Sequence, residues 1–303
     1  LKKQLHEAIQ YPDEAFPYIM YTHTNHRSIP KGRGVNDLHW HEELQITLVT
    51  KGKLTIQING IDYGLGTGQA IFINKSVLHI VTHLTHDGEY VSFNFPEKLL
   101  AFYSDSSMQK NYVLPFTNSY LLSLEINGDA EWQNKILHIL WDMKKEFEMK
   151  KSWGWQYEIS IKTVQLWLIL ISNISLSSEE SAKHNRLQQE RLQLMLSFIH
   201  QNYSNNITLK EIAEVAHLSV SECTRSFKKG IHMTPYYYLV KFRIKRSCEL
   251  LESTEYTITE IALRVGFNHV NHFIQSFKKH CDITPKEFRK IRNVQKHHQA
   301  TKN

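Results

Sequence analysis

Hydrophobic and polar positions change their rhythm three times along the chain. Residues 16–126 run in short alternating stretches, LTIQING, GQAIFIN and YVSFNF among them, broken by Gly, Asn, Asp and Pro. That rhythm predicts strands. Leu54, Ile56 and Ile58 share one face, and Asn59-Gly60 behind them is the dipeptide of a two-residue hairpin turn. Many short strands at close spacing predict a sandwich or small barrel. From Glu131 the period becomes helical. Ile136, Ile139, Leu140, Met143 and Phe147 form one stripe, and Tyr157, Ile161, Val164, Trp167, Leu168 and Ile171 form another. Leu166, Ile169 and Leu170 make the second helix apolar almost all round, which predicts burial on more than one side. The barrel accounts for one side, and either the monomer's own core or a second copy for the other. The first stripe is the candidate dimer seam. Residues 173–183, within the Ser-rich SNISLSSEESAK, keep no period and read as a linker.

Beyond the linker the chain repeats itself. ITLKEIAEVAHLSVSECTRSFKKGIHMTP (207–235) aligns with YTITEIALRVGFNHVNHFIQSFKKHCDITP (256–285), sharing E-I-A, S-F-K-K and T-P. A repeat of this length is a duplicated supersecondary unit. Each copy reads as helix, tight turn, helix. Ile212, Ala213 and Ala216 share a face, as do Ile261, Ala262 and Val265, and Cys223/Phe227 and Phe273/Phe277 resume the pattern after the turn. Gly266 suits the left-handed backbone of a sharp turn, and His217 holds the matching place in the first copy. Ser219 and Asn268 are the expected N-caps. With the apolar pairs facing inward, Ser221, Thr224, Arg225 and Lys228 face out in the first copy, and Asn271, Ile274, Gln275 and Lys278 in the second. Polar side chains able to address base edges, followed by a Lys within reach of phosphate, suit a helix lying in a major groove. An ordinary solvated helix face has the same composition, so one copy alone decides little.

Charge sharpens the picture. Residues 184–303 hold 19 Lys/Arg against 10 Asp/Glu, whereas residues 1–183 hold 17 against 20. The net charge of +6 is therefore a basic module joined to a near-neutral one, the distribution expected of a polyanion binder. At 303 residues two domains are expected. The three cysteines, Cys223, Cys248 and Cys281, are odd in number and show no CxxC spacing, which suggests neither a disulfide framework nor a thiolate zinc site. No apolar run approaches the ~20 residues of a membrane span. The expected setting is the reducing cytoplasm.

The paired S-F-K-K and T-P elements, the intervening YYYLVKFRIKRSCELLEST and the EIALRVGF of the second copy together resemble the DNA-binding domain of the AraC/XylS regulators, over residues 187–292. The resemblance implies two recognition helices entering successive major-groove segments, with residues 221, 224, 225, 271 and 275 at base-contacting positions. Three turn positions depart from the family's usual Gly: His217, His232 and Asp282. His and Asp are among the residues that tolerate positive φ best. Gln275 stands where Arg is common, a change that shifts preference from guanine toward adenine.

In the N-terminal half, His39-Trp40-His41-Glu42-Glu43 followed by Gly68 and Asn74 to His79 resembles the cupin barrel, where an HxH pair, an acid and a further His converge. Two histidines two apart on a strand point the same way. The family's acid falls on Gln45 or Ile46, so His39, His41, Gln45 and His79 are assigned as ligand-binding residues, with no metal and no cofactor expected. Glu43 and His83 are further candidates.

The expected fold is thus an α+β multidomain chain. A cupin-like β-barrel with a helical dimerisation segment spans 1–172, and an all-α double helix-turn-helix domain spans 184–303. The expected function is sequence-specific DNA binding that regulates transcription under a small-molecule effector, a carbohydrate among the candidates. No catalytic residues are expected. The expected partners are double-stranded DNA, a second copy of the chain and RNA polymerase. A cupin enzyme carrying a DNA-binding domain and a ligand-independent regulator are the alternatives.

Overall fold

The computed structural model describes residues 5–119, 121–149, 153–175 and 179–291, in two compact units that divide at residues 190/191. Residues 176–178 of the expected linker and 292–303 of the expected DNA-binding domain lie outside the described residues.

The first unit holds strands β1 (Ile19–Thr24), β2 (Ser28–Ile29), β3 (Leu44–Lys51), β4 (Lys53–Ile58), β5 (Ile61–Gly66), β6 (Ala70–Ile73), β7 (His79–Leu84), β8 (Glu89–Phe95) and β9 (Ser123–Ile126). All pairings are antiparallel, in a six-stranded sheet ordered β2-β1-β8-β3-β6-β9 and a three-stranded sheet ordered β5-β4-β7. Asn59 and Gly60, with φ of 45° and 82°, turn β4 into β5 as the sequence predicts. Short helices α1 (Lys98–Ala101) and α2 (Leu114–Thr117) flank a π-helical turn at Gln109–Val113, helical structure inside a stretch that reads as strands. Helices α3 (Glu131–Met149) and α4 (Trp155–Ser172) follow.

The six-stranded sheet is buried on both faces, and this places the site. Leu44, Ile46, Leu48, Phe72, Phe93 and Phe95 pack with α3 and α4. The opposite face, with Val49, Ile71, Ile73 and Tyr90, meets Leu54, Ile56, Ile58 and Val81 of the smaller sheet and closes the barrel. Near one end this inner face turns polar: Gln45 pairs with Asn94 and Thr47 with Ser92 across β3 and β8. The α3 stripe belongs to the monomer core. Ile136, Leu140, Met143 and Phe147 are buried, so they are not free to form a dimer seam. The α4 stripe is divided: Trp167 and Ile171 are buried, while Tyr157, Ile161 and Leu168 stand exposed.

The second unit begins within α5 (Glu179–Asn202), so helix already occupies the end of the expected linker. It continues with α6 (Leu209–Glu214), α7 (Val220–Ile231), α8 (Pro235–Ser253), α9 (Ile258–Arg264) and α10 (Val270–Cys281), and a further helix starts at Pro285. No described helix is long and apolar enough to cross a membrane. The sequence repeat reappears as repeated caps. Thr208/Glu211 and Thr257/Glu260 form capping boxes at α6 and α9, and Ser219/Glu222 forms one at α7. The symmetry fails at α10, whose N-cap is His269 rather than Asn268 and carries no side-chain cap. All four turn positions singled out in the sequence are left-handed: His217 (φ 52°), His232 (55°), Gly266 (92°) and Asp282 (61°). None of the three cysteines, all of them described, forms a disulfide, and Cys248 Sγ and Cys281 Sγ lie 4.0 Å apart.

Candidate functional site

Helices α7 and α10 follow from the same local logic. Cys223 and Phe227 on α7, and Phe273 and Phe277 on α10, are fully buried. Ala213 and Ala262, also buried, leave room for α6 and α9 to lie close against them. What remains outside is the face anticipated from sequence. Ser221, Arg225 and Lys228 are exposed on α7, and Asn271, Gln275 and Lys278 on α10, while Thr224 and Ile274 are half-buried. The Thr224 hydroxyl donates back to the Val220 carbonyl (2.9 Å), which leaves it an acceptor's role outward. Lys228 and Lys229 end α7, and Lys278 and Lys279 end α10, where cations complement the helix dipole and still reach outward. Hydrogen bonds from Ser219 hold the Glu222 carboxyl below the usual range, with Arg225 adding to the effect, so α7 opens with a fixed negative charge.

The barrel site is assembled by loop and strand together. His39 and His41 lie on the extended segment before β3 rather than within a strand, and His39 bridges His79 at the start of β7. The three rings converge, with centroids 4.3 Å (His39–His79), 5.2 Å (His41–His79) and 5.9 Å (His39–His41) apart. Each Nδ1 sits on a backbone carbonyl: His39 on Asp37 (2.7 Å), His41 on Glu43 (3.1 Å), His79 on Val77 (2.8 Å). A carbonyl only accepts, so Nδ1 of His39 and of His79 carries the proton and their Nε2 is left bare, whereas His41 has an oxygen at both nitrogens, the Glu43 carbonyl at Nδ1 and Gln45 Oε1 at Nε2. Burial pushes all three pKa values down, that of His79 to about 3, which keeps the imidazoles neutral.

Gln45 completes the cluster on the His41 side. Its Oε1 lies 2.9 Å from His41 Nε2 and accepts from Asn94 Nδ2 (3.1 Å), and its Nε2 donates to Thr47 Oγ1 (2.9 Å). Two candidates fall away. His83 points to solvent, and Glu43 Oε2 stands 3.6 Å from Nδ1 of His41, on the side away from the cluster. Sequence reasoning missed Asn94, Arg33, His23 and Glu7, all of which line the same cavity. Its free volume of about 20 Å³ has room for one water or one ion, not for a sugar.

A cupin barrel implies a bound metal, and the donor set fits one. The ligand nitrogens of His39, His41 and His79 all lie within 4.8 Å of one another. His79 Nε2 and Asn94 Oδ1 are buried in this cavity without a hydrogen-bond partner among the described residues. A buried bare nitrogen calls for water or a cation. Held by the three imidazoles, a divalent ion would supply positive charge at the barrel centre and tie together the segment before β3 and the start of β7.

The helix-turn-helix domain family matches residues 212–291, and the cupin domain family matches residues 25–92. The chain is 30% identical over 296 residues to the HTH-type transcriptional regulator YdeC of Bacillus subtilis (strain 168), covering 96% of this chain and 98% of that protein. It is 24% identical over 267 residues to the HTH-type transcriptional activator RhaS of Klebsiella pneumoniae (strain 342), covering 84% and 88%. Among solved structures, the C-terminal domain of the response regulator yesN from Fusobacterium nucleatum is 37% identical, with a TM-score of 0.31, covering 32% of this chain and 94% of that one. A likeness that runs through barrel and repeat alike leaves one family to accommodate both: this chain is an AraC/XylS-type transcriptional regulator.

Proposed function

We propose that the second unit reads two successive major-groove segments, Ser221, Thr224 and Arg225 addressing one and Asn271 and Gln275 the other, with Lys228 and Lys278 on phosphate. The first unit adjusts this binding through a ligand held by His39, His41, Gln45 and His79. The observation that carries the reading is the pairing of faces: the second helices bury their inward pairs, Cys223/Phe227 and Phe273/Phe277, completely and present the predicted polar set. Arg225 offers two donors to the O6 and N7 of guanine, and Asn271 and Gln275 are amides suited to adenine. The target therefore holds a G-dependent and an A-dependent element about 10 base pairs apart on one face. A cavity with room for one ion or water supports a very small signal rather than the carbohydrate expected from the family. Homodimerisation, if it uses a helix of this unit, falls to the exposed Tyr157, Ile161 and Leu168 of α4, because the α3 stripe is occupied.

Selection of bound sequences from randomised DNA tests the DNA reading. Arg225→Ala relaxes preference at the guanine at a cost of ~1–3 kcal/mol, and Gln275→Arg moves the second element toward guanine. An unchanged selected motif in both variants would mean that these side chains do not read bases.

A further inference from the structure

We propose that Cys248 and Cys281 are a peroxide-responsive thiol pair whose reversible disulfide loosens the hold of α10 on its DNA segment. The effect on binding rests on the reading of Asn271 and Gln275 as base-contacting residues; the thiol chemistry does not.

The sequence holds three cysteines with no local spacing, and the fold sorts them into one and two. Cys223 on α7 is fully buried, and burial pushes its thiol up to about 11, so it stays protonated and out of reach. Cys248 on α8 and Cys281, the last residue of α10, are half-buried, and their sulfurs lie 4.0 Å apart. They are 33 positions apart in the chain, so the packing of α10 on α8 makes the pair, not a motif. A disulfide holds its sulfurs about 2 Å apart. Each sulfur must therefore move by roughly an ångström, which side-chain rotation and a small shift at the end of α10 supply. In a reducing compartment such a bond is transient, the form that redox-sensing cysteines take.

The two thiols have unequal roles. Burial holds the Cys281 thiol above its usual range; the contact with Cys248 lowers it and the Asp282 carboxylate raises it. Cys281 also sits at the negative end of α10. Cys248 lies within α8, with the exposed Lys245 one turn ahead of it, a charge that favours the thiolate. Cys248 therefore attacks and Cys281 resolves. The Cys248 thiolate attacks one oxygen of hydrogen peroxide, the O–O bond breaks, and the departing hydroxide takes up the thiol's proton as water. The Cys281 sulfur then attacks the sulfenic sulfur of Cys248, and the hydroxyl leaves with the Cys281 proton as a second water. Two electrons pass from the pair to one peroxide, and no other co-reactant is needed. With its partner already at hand, the sulfenic acid closes faster than a second peroxide can reach it. A small thiol reopens the bond by exchange.

The link falls where DNA reading is decided. Helix α8 packs against α6, α7, α9 and α10, so it supports both helix-turn-helix units. Cys281 follows Gln275 by six residues and Lys278 by three, about 9 Å and 4.5 Å along α10. The part of the closure taken by the backbone draws these side chains toward α8, and a preorganised site tolerates only ~0.5 Å. Helix α7 carries no such link, so the G-dependent element is read as before and the loss falls on the A-dependent one.

The test uses the full-length chain, reduced, freed of small thiols and exposed to hydrogen peroxide. Loss of two hydrogens (about 2 Da) is expected, with the peptides of Cys248 and Cys281 joined and Cys223 alkylated only after unfolding. The joined form should melt higher by ellipticity at ~222 nm, because the link restrains the unfolded chain. Its affinity for the selected DNA should fall about fivefold or more, the worth of one base contact, and dithiothreitol should restore it. Cys248→Ser and Cys281→Ser should each bind like the reduced wild type and ignore peroxide. Sulfinic acid on either cysteine without a joined peptide overturns the pairing, as does a link to Cys223 or between two chains. A joined form that binds as tightly as the reduced chain overturns the switch. The motif selected by the reduced Arg225 and Gln275 variants judges the DNA reading separately, while the mass of the oxidised chain judges the thiol pair.

Discussion

Gly266→Ala offers a measure of how tightly the second helix-turn-helix is built. Gly266 turns α9 into α10 at φ +92°, and a Cβ there would stand 2.5 Å from the Tyr203 carbonyl oxygen and 2.9 Å from Nη2 of Arg243. The left-handed backbone costs an alanine about 1–2 kcal/mol. The contact costs more, because the Tyr203 carbonyl is not free to move. It accepts from Nε of the buried Arg243 (2.8 Å), whose Nη2 donates to the Asn205 carbonyl (2.8 Å). Displacing it strips a charge-assisted bond worth about 1.5–3 kcal/mol. The sum, about 2.5–5 kcal/mol, is a large share of the 5–15 kcal/mol typical of a domain. It implies a fall of ~10 °C or more in the melting of a unit this size.

The assay is already built into the chain. All six tryptophans, at positions 40, 132, 141, 153, 155 and 167, belong to the first unit. Fluorescence therefore follows the barrel unit, and helical ellipticity at 222 nm also reports the second. Gly266→Ala should shift only the ellipticity transition. His217→Gly at the matching turn, exposed with φ 52°, should stay within about 1 kcal/mol of wild type, since relief of strain and gain of unfolded-state freedom oppose each other. A shift below 1 kcal/mol for Gly266→Ala would refute the clash and the Arg243 clamp with it.

Three further outcomes are expected. Lys278→Ala should weaken binding to specific and random DNA alike and lower the slope of log affinity against log salt by about one; a loss confined to the specific site would assign Lys278 to base reading. Leu140→Ala, in the core between α3 and the large sheet, should cost ~2–5 kcal/mol in the fluorescence transition without changing the sedimentation coefficient. Dissociation of a dimer by that change would restore the α3 seam. Acid should unfold the barrel unit early. Burial pushes His23 from 6.5 to about 3, so the unfolded chain takes up its proton first, and stability held above pH 6.5 is lost between 6.5 and 3. The slope per histidine reaches at most ~1.4 kcal/mol per pH unit, His23→Phe should flatten it, and a midpoint constant from pH 7 to 5 would count against the buried neutral ring.

The second unit was legible because its information is local and stated twice. E-I-A, S-F-K-K and T-P recur at a fixed offset, each copy needs the same caps and turns, and an inward pair such as Phe273/Phe277 decides which residues face out. The one local error, Asn268 for His269 as the cap of α10, concerns a helix with no side-chain cap to find. The first unit hid more, because its decisive relations are distant in sequence. Alternation in LQITLV shows that Leu44, Ile46 and Leu48 share a face, but not that this face meets α3 and α4 while Gln45 and Thr47 look into the barrel. That inversion also takes the α3 stripe, whose period fits a dimer seam equally well, into the monomer core. Position 45, read alone, argues against a metal. The carboxylate nearest the histidines comes from Glu7, 32 residues before His39, and reaches it through two backbone hydrogen bonds to Trp40 that leave no periodic trace. Spacing rules find ligands that share a strand or a hairpin. A carboxylate delivered by a docked segment is visible only once its backbone partners are known.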